Sequence, residues 1–308
     1  MSRHDAALSS WRPGPTRDAI AEFLEQARQV PVERRVACFD NDGTLWCERP
    51  NYVQLDFFVD VMKTAVDQDP DLARKPEFAA LISDDAAAIG DLGLERIAFA
   101  LAGLCSGLTP EEFTARVRGF MASATHPVLD RPLLAMTYQP MLELLEELRR
   151  LDFTVTIVTG GGTEFVRAVS QELYDVPPEA VVGTLLEYDY AAAAADRPVL
   201  RRSTRLLGAA NEGPAKVSNI QTQLGRRPIL AAGNSGGDRE MLEWAATGEG
   251  PTLALLVDHD DEAREFSYRS SAETFTEAEP ITTVGERLGW TVASMARDWE
   301  TVFDRRAS

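Results

Sequence analysis

The chain has 308 residues, of which 44% are hydrophobic and 26% are charged. This balance excludes a largely disordered protein, and the length predicts about two domains, or one core that carries an inserted unit. Asp and Glu outnumber Lys and Arg by 49 to 31, a formal net charge of −18. Because such a charge repels nucleic-acid phosphates and anionic lipid, we expect neither nucleic acid nor a membrane as a partner.

Cysteine usage and hydropathy favour a cytoplasmic location. The three cysteines form no C-x-x-C pair, which predicts neither a disulfide framework nor a thiolate zinc site. The first residues contain no apolar run typical of a signal peptide, and no stretch approaches the ~20 apolar residues needed to span a bilayer. We therefore expect a cytoplasmic protein.

Hydrophobic periodicity predicts the elements in chain order. An amphipathic helix over 16–29 precedes a short buried strand over 35–40, and residues 52–135 have the periods of a mostly helical unit. Strands then alternate with helices, which predicts an α/β fold with a doubly wound parallel sheet. The predicted strands of this part are 153–159, 181–190, 198–202, 228–232 and 252–257. The strands 181–190 and 198–202 are separated by an Ala-rich linker over 191–195 and are candidates for a hairpin. The predicted helices are 140–150, 164–173, 214–224, 238–246 and 291–304.

Three of the predicted strands end in unusual sequences. These are Asp40-Asn-Asp42-Gly-Thr44, Thr159-Gly-Gly-Gly162 and Gly233-Asn-Ser-Gly-Gly-Asp238. Each alone is typical of an ordinary turn. Ligands of an open parallel sheet bind outside the carboxyl ends of its strands, so the shared location of the three predicts a binding site.

The residue types at these ends indicate a cation and a phosphate. Asp40 and Asp42 would crowd like charges at the end of a buried strand, and oxygen ligands without a nearby imidazole or thiolate favour Mg²⁺. Thr159 and the glycines after it offer a hydroxyl and backbone N–H groups at a helix N-terminus, which suits a phosphate. Lys216 in the first turn of its helix opposes the helix dipole by ~0.3–1 kcal/mol. An exposed lysine would tolerate that, but a cation facing the carboxylates and phosphate would offset it.

Taken together, these residues resemble the four motifs of the haloacid dehalogenase superfamily in order. Asp40 to Thr44 corresponds to the first motif, Thr159 to the second, Lys216 to the third and Gly233 to Asp238 to the fourth. The long helical interval after the first motif resembles the cap of the phosphoserine-phosphatase-like branch. The resemblance implies a Rossmann-like catalytic core over 1–46 and 136–308, with a helical cap over 47–135.

The resemblance also implies roles for individual residues. Asp40 would be the nucleophile and Asp42 the general acid and base; an acid at this position favours phosphate esters over halides, because an ester oxygen needs a proton to leave. The implied function is a Mg²⁺-dependent phosphatase that acts on a small phosphorylated metabolite through an aspartyl-phosphate. The implied catalytic residues are Asp40, Asp42, Thr159 and Lys216; the phosphate ligands are Gly43, Thr159, Gly160 and Lys216; and the metal ligands are Asp40, Asp42, Asn234 and Asp238.

Two positions depart from the family pattern. Asn234 stands where the family usually has an aspartate, which removes a negative charge and leaves two interpretations open: an enzyme with a changed metal shell, or a catalytically silent phosphometabolite-binding protein. A phosphotransferase or mutase is a further alternative. Glu48 lies one residue short of the spacing at which phosphoserine phosphatases bind the substrate amine, so it is either a substrate contact or an exposed glutamate. His259 is given no role, and the acidic stretch 258–262 predicts a solvated loop.

Overall fold

The computed structural model describes residues 7–192 and 198–303. Within this part of the chain, eight strands form a six-stranded parallel sheet in the order β3-β2-β1-β6-β7-β8 and an antiparallel hairpin of β4 and β5. The α/β fold with a parallel sheet is confirmed. The strands are β1 (Val36–Phe39), β2 (Thr154–Gly162), β3 (Val181–Thr184), β4 (Leu186–Ala192), β5 (Pro198–Leu206), β6 (Leu230–Gly233), β7 (Leu253–Asp258) and β8 (Thr291–Ser294).

Helices cover both faces of the sheet. Val36 and Cys38 of β1 pack into the core on one face and Ala37 and Phe39 into the core on the other, so β1 is buried throughout. Burial on both faces explains why the strand is a continuous apolar run. The helices are α1 (Pro15–Ala27), α2 (Val53–Gln68), α3 (Pro76–Ile82), α4 (Ala86–Leu92), α5 (Leu94–Gly103), α6 (Pro110–Ser123), α7 (Gln139–Arg150), α8 (Thr163–Tyr174), α9 (Pro214–Leu224), α10 (Arg239–Ala246), α11 (Ile281–Leu288) and α12 (Met295–Asp298).

The helical segment α2 to α6 is inserted between two neighbouring strands. β1 pairs in register with β2, Phe39 opposite Ile157, although the whole segment separates them in sequence. The hairpin β4–β5 joins this segment: the Gly107 amide donates to the Arg202 carbonyl at 2.8 Å, and the Arg202 amide donates to the Leu108 carbonyl at 2.8 Å. The predicted cap over 47–135 did not include the hairpin, and its boundaries stay a prediction.

Two predicted elements differ from the structure. The strand predicted over 181–190 is divided at Leu185 between the sheet and the hairpin. The terminal helix predicted over 291–304 is wrong: Thr291–Ser294 forms the edge strand β8, with Val292 opposite Leu256. Of the described residues 291–303, only Met295–Asp298 is helical. Pairing with β7 satisfies the backbone of these residues at the sheet edge. The predicted linker over 191–195 falls mostly outside the described residues.

The register of β2, β1 and β6 brings their carboxyl ends together. Phe39 of β1 lies opposite both Ile157 and Ala232, and the Asp40 amide donates to the Ala232 carbonyl at 2.9 Å. The three unusual sequences at the carboxyl ends of these strands therefore meet at one end of the sheet, although Thr159 to Gly162, predicted to follow the strand, still belongs to β2. None of the described helices is long and apolar enough to cross a membrane.

Candidate active site

Lys216 joins two of the predicted site carboxylates. Its ammonium donates to Asp40 Oδ1 at 2.6 Å, to Asp238 Oδ1 at 2.6 Å and to the Val158 carbonyl at 2.8 Å. All three charged side chains are less than one-tenth exposed. Lys216 lies in the first turn of α9, where the helix dipole opposes its charge, and two carboxylates at contact distance offset that penalty.

The pKa values of this group follow from burial and mutual contact. Burial alone would lower the pKa of Lys216, but Asp238 and Asp40 raise it above its ordinary value, so its ammonium stays charged. Burial and repulsion from Asp238 raise the pKa of Asp40, and Lys216 opposes that shift. The lysine beside the predicted nucleophile therefore favours its charged form but does not cancel the effect of burial and of Asp238.

Asp238 is held on both of its oxygens. Oδ1 receives Lys216, while Oδ2 accepts the backbone amides of Asn234 and Ser235 at 3.0 Å each. Gly233 makes this possible, because a Cβ there would lie 2.5 Å from Asp238 Cγ. The geometry makes Asp238 an anchor for Lys216, and its predicted part as a metal ligand stays a prediction.

Asp42 lies in a hydrogen-bonded and partly buried position. Trp46 Nε1 donates to its Oδ1 at 2.8 Å, and Thr159 Oγ1 donates to its Oδ2 at 3.4 Å. Burial raises the pKa of Asp42 above its ordinary value, and these bonds limit the rise. A carboxyl that keeps its proton to a higher pH than usual suits general acid catalysis.

The glycine run after Thr159 forms the end of β2 and leads into α8. The Gly161 amide donates to Thr159 Oγ1 at 3.0 Å, and the Thr159 carbonyl accepts Asn211 Nδ2 at 2.9 Å. The Gly162 amide donates to Gln54 Oε1 of α2 at 2.8 Å, so the inserted helical segment contacts the predicted phosphate loop directly. Gln54 belongs to none of the four motifs, and nothing in the sequence predicts this contact.

Gly43 of the first motif packs directly against Asn234 of the fourth. Its φ is +72°, and a Cβ at this position would lie 1.9 Å from Asn234 Nδ2. Its carbonyl accepts His259 Nε2 at 2.8 Å. A residue with a side chain would therefore push the two motifs apart.

Glu48 is buried beside Asn234, with 5% of its surface exposed. The interpretation of Glu48 as an exposed glutamate is thus wrong. Its Oε1 accepts Asn234 Nδ2 at 3.0 Å and Tyr268 Oη at 2.7 Å. Burial raises the pKa of the carboxyl, and His259 and Tyr268 oppose the rise. Its predicted contact with substrate stays a prediction.

The segment after β7 contributes buried residues that sequence analysis missed. The loop predicted to be solvated over 258–262 is buried at His259 and Asp261, and the His259 ring stacks on Tyr268 with centroids 4.4 Å apart. His259 Nδ1 lies 3.3 Å from Glu265 Oε2, a carboxylate that also accepts Cys47 and Tyr138. The position of His259 directly after a buried strand was the available signal, because that strand ends at the same edge of the sheet.

The first and fourth motifs carry oxygen donors of the kind that Mg²⁺ takes. Among residues 7–192 and 198–303, no group of three or more His, Cys, Asp and Glu side chains is arranged to hold a metal. Mg²⁺ instead commonly uses one or two carboxylates and keeps several waters. The Asp40 carboxylate, the Asp42 backbone carbonyl and the Asn234 amide oxygen are all hard oxygen donors of this kind. The amide nitrogen of Asn234 is bound to Glu48 and Ser270, and its oxygen takes no part in these bonds.

A search of solved structures gave several matches, of which the first named here shares the fold. A protein of unknown function from Bordetella pertussis Tohama I is 18% identical, with 84% of this chain and 97% of that chain covered and a TM-score of 0.51. A probable phosphoserine phosphatase from Vibrio cholerae is 15% identical, covering 90% and 73% of the two chains with a TM-score of 0.42. Cytosolic 5'-nucleotidase IIIB bound to cytidine is 16% identical, covering 80% and 79% with a TM-score of 0.43. No match was found among curated proteins.

Family membership rests on the sequence between the first and fourth motifs. The model of the haloacid dehalogenase-like hydrolases matches residues 37–243, about two thirds of the chain. This range begins in β1 and ends in α10, so it includes Asp40, Thr159, Lys216 and Asn234. The chain therefore belongs to the haloacid dehalogenase-like hydrolase family.

Proposed function

We propose that this protein is a Mg²⁺-dependent phosphatase that hydrolyses a small-molecule phosphate monoester through an aspartyl-phosphate intermediate. The observation that carries the proposal is the contact of Lys216 with Asp40, beside an Asp42 that is bonded to Thr159. The proposed nucleophile, the proposed proton donor and the proposed phosphate-binding hydroxyl thus lie at the carboxyl ends of neighbouring strands, an arrangement that supports phosphoryl transfer.

The first chemical step uses both aspartates. A carboxylate oxygen of Asp40 forms a bond to phosphorus while the bond from phosphorus to the ester oxygen breaks. Asp42 gives its proton to that oxygen, which leaves as an alcohol. The raised pKa of Asp42 supports this assignment, because its carboxyl must hold a proton when the substrate arrives.

The second step reverses the task of Asp42. As a carboxylate it takes a proton from water, the oxygen of that water attacks the phosphorus, and the bond from phosphorus to Asp40 breaks. Inorganic phosphate and a free Asp40 carboxylate result. Thr159 Oγ1, the Gly160 amide and Lys216 would stabilise charge on the phosphoryl oxygens.

The proposed metal site uses Asp40, the Asp42 carbonyl and Asn234. Bound Mg²⁺ supplies positive charge that offsets the negative charge of the phosphoryl group and of the nucleophile. The global charge of −18 favours a small substrate over a polyanionic one, because each added phosphate increases the repulsion.

A phosphatase screen tests the proposal. Wild type, D40N and the matched control D60N, at an exposed aspartate of α2, are assayed for inorganic phosphate release from an aryl phosphate and from phosphorylated metabolites. We expect release that requires Mg²⁺, survives in D60N and is lost in D40N.

Three results would contradict the proposal. They are no release by folded wild type with any ester, release that D40N retains, and phosphate that appears on an added alcohol instead of water. The first favours the silent phosphometabolite-binding protein, which the neutral Asn234 supports. The last identifies a phosphotransferase.

A further inference from the structure

We propose that Glu48 is a positioning residue for the metal site. It fixes the side-chain amide of Asn234 so that the oxygen is the atom left for Mg²⁺, and it returns to the site the negative charge that Asn234 lacks. The inference rests on the proposed Mg²⁺-dependent function.

The orientation of an Asn side chain is decided by its neighbours, because its two ends differ only in hydrogen-bonding character. Asn234 Nδ2 lies 3.0 Å from Glu48 Oε1 and 3.2 Å from Ser270 Oγ. A carboxylate only accepts hydrogen bonds, so the nitrogen end must face Glu48. If the amide turned over, two acceptor oxygens would meet and the donor would replace the oxygen that suits Mg²⁺.

Glu48 is itself held in place by a second donor. Tyr268 Oη donates at 2.7 Å to the same Oε1 that receives Asn234. Each of Glu48, Asn234 and Ser270 is less than one-tenth exposed, so water has little access to replace these bonds. A fixed carboxylate is what a reliable amide orientation requires.

The pair packs against the backbone that would bind the metal. A Cβ on Gly43 would lie 1.9 Å from Asn234 Nδ2 and 2.8 Å from Glu48 Cδ. Gly43 directly follows Asp42, whose carbonyl is a proposed metal ligand. The contact between Glu48 and Asn234 is therefore adjacent to the proposed site. A change in either side chain would alter the packing against the backbone that is proposed to bind the metal.

In this site the negative charge lies on residue 48, and residue 234 is neutral. An aspartate there would place a second carboxylate about 3.0 Å from Glu48, the distance now spanned by a hydrogen bond. Two carboxylates at that distance repel each other or must share a proton. The neutral Asn234 is thus compatible with the charged Glu48. A charged aspartate at position 234 would be compatible with a neutral glutamine at position 48, whereas two charged partners are not compatible.

The first experiment measures Mg²⁺ binding by titration calorimetry and needs no turnover. Wild type is compared with E48Q and with E172Q, which removes the same charge at an exposed position of α8. We expect E48Q to bind Mg²⁺ about 10–100-fold more weakly, because a neutral glutamine removes the charge and, having both an acceptor and a donor end, no longer dictates which end of Asn234 faces it. E172Q should match wild type. Equal affinity of E48Q and wild type would overturn the inference, even if the protein proves to be a phosphatase.

The second experiment tests the pairing by charge exchange. N234D should unfold at a lower temperature than wild type in EDTA, and E48Q/N234D should recover much of that loss, because the introduced glutamine amide donates to the introduced aspartate. The double variant has the net charge of wild type, so we also expect it to regain the Mg²⁺ affinity lost in E48Q. An N234D variant as stable as wild type, or a double variant that recovers neither stability nor affinity, would show that the two side chains are not coupled.

Discussion

Replacement of Asp238 by asparagine separates two interpretations of this residue. If Asp238 mainly anchors Lys216, its loss destabilises the metal-free protein, because a buried ammonium loses a partner at 2.6 Å. If Asp238 is mainly a metal ligand, the metal-free protein carries an excess of negative charge at the site. Replacing Asp238 then relieves its repulsion with Asp40 and stabilises the metal-free protein. The two interpretations predict opposite signs for the change in free energy of unfolding.

The structure sets the expected magnitude. Removing one partner of a buried ion pair costs roughly 3–5 kcal/mol. An asparagine oxygen can still accept the amides of Asn234 and Ser235, but its nitrogen then faces the ammonium of Lys216, donor against donor. Because relief of the repulsion with Asp40 offsets part of the loss, we expect D238N to lower the free energy of unfolding by about 2–4 kcal/mol.

Urea denaturation followed by circular dichroism in EDTA measures this quantity. D60N serves as the control for an aspartate-to-asparagine change at an exposed site, and we expect it to match wild type. A D238N protein that is as stable as wild type, or more stable, would refute the anchoring argument and favour Asp238 as a metal ligand.

Two further predictions concern the first motif. In W46F, Asp42 loses the Trp46 donor that stabilises its ionised form, so its already raised pKa rises further. The alkaline limb of kcat/KM, where the acid loses its proton, should move to higher pH, and an unmoved or lowered limb in a pH profile of phosphate release contradicts this. In G43A, positive φ and the 1.9 Å approach to Asn234 should lower the free energy of unfolding by at least ~1–2 kcal/mol. G119A, at an open position in α6, is the control in thermal denaturation. A midpoint of G43A equal to that of G119A would contradict the prediction.

Most helices and strands of the core can be predicted from the sequence, but fewer of those at its periphery can. The helix over 214–224 and the strands around Phe39 and Ile157 are evident because apolar periodicity and caps act locally. The edge strand Thr291–Ser294 was missed, because a segment of four residues is too short for its apolar pattern to distinguish a strand from a helix. Its conformation is decided by pairing with β7, which is a tertiary effect.

The candidate site shows the same division. Asp40, Asp42 and Lys216 follow from motif and spacing, and the structure brings them together at the strand edge. Glu48 and His259 could not be placed in that way. Their burial depends on loops that fold against the first motif, and a charged or polar residue in a loop is exposed by default. Long-range hydrogen bonds, such as that from Asn234 to Glu48, leave no periodic trace in the sequence.

The geometry also limits how Lys216 can act on a phosphate. A lysine ammonium has three donors, and the Lys216 ammonium has three acceptors at 2.6–2.8 Å. A hydrogen bond to a phosphoryl oxygen therefore requires the release of one of them. The bonds to Asp40 and Asp238 are between opposite charges and are the stronger ones, whereas Val158 offers a neutral carbonyl. We expect the Val158 bond to be exchanged for phosphate, so that Lys216 keeps its hold on the nucleophile while it neutralises the group under attack.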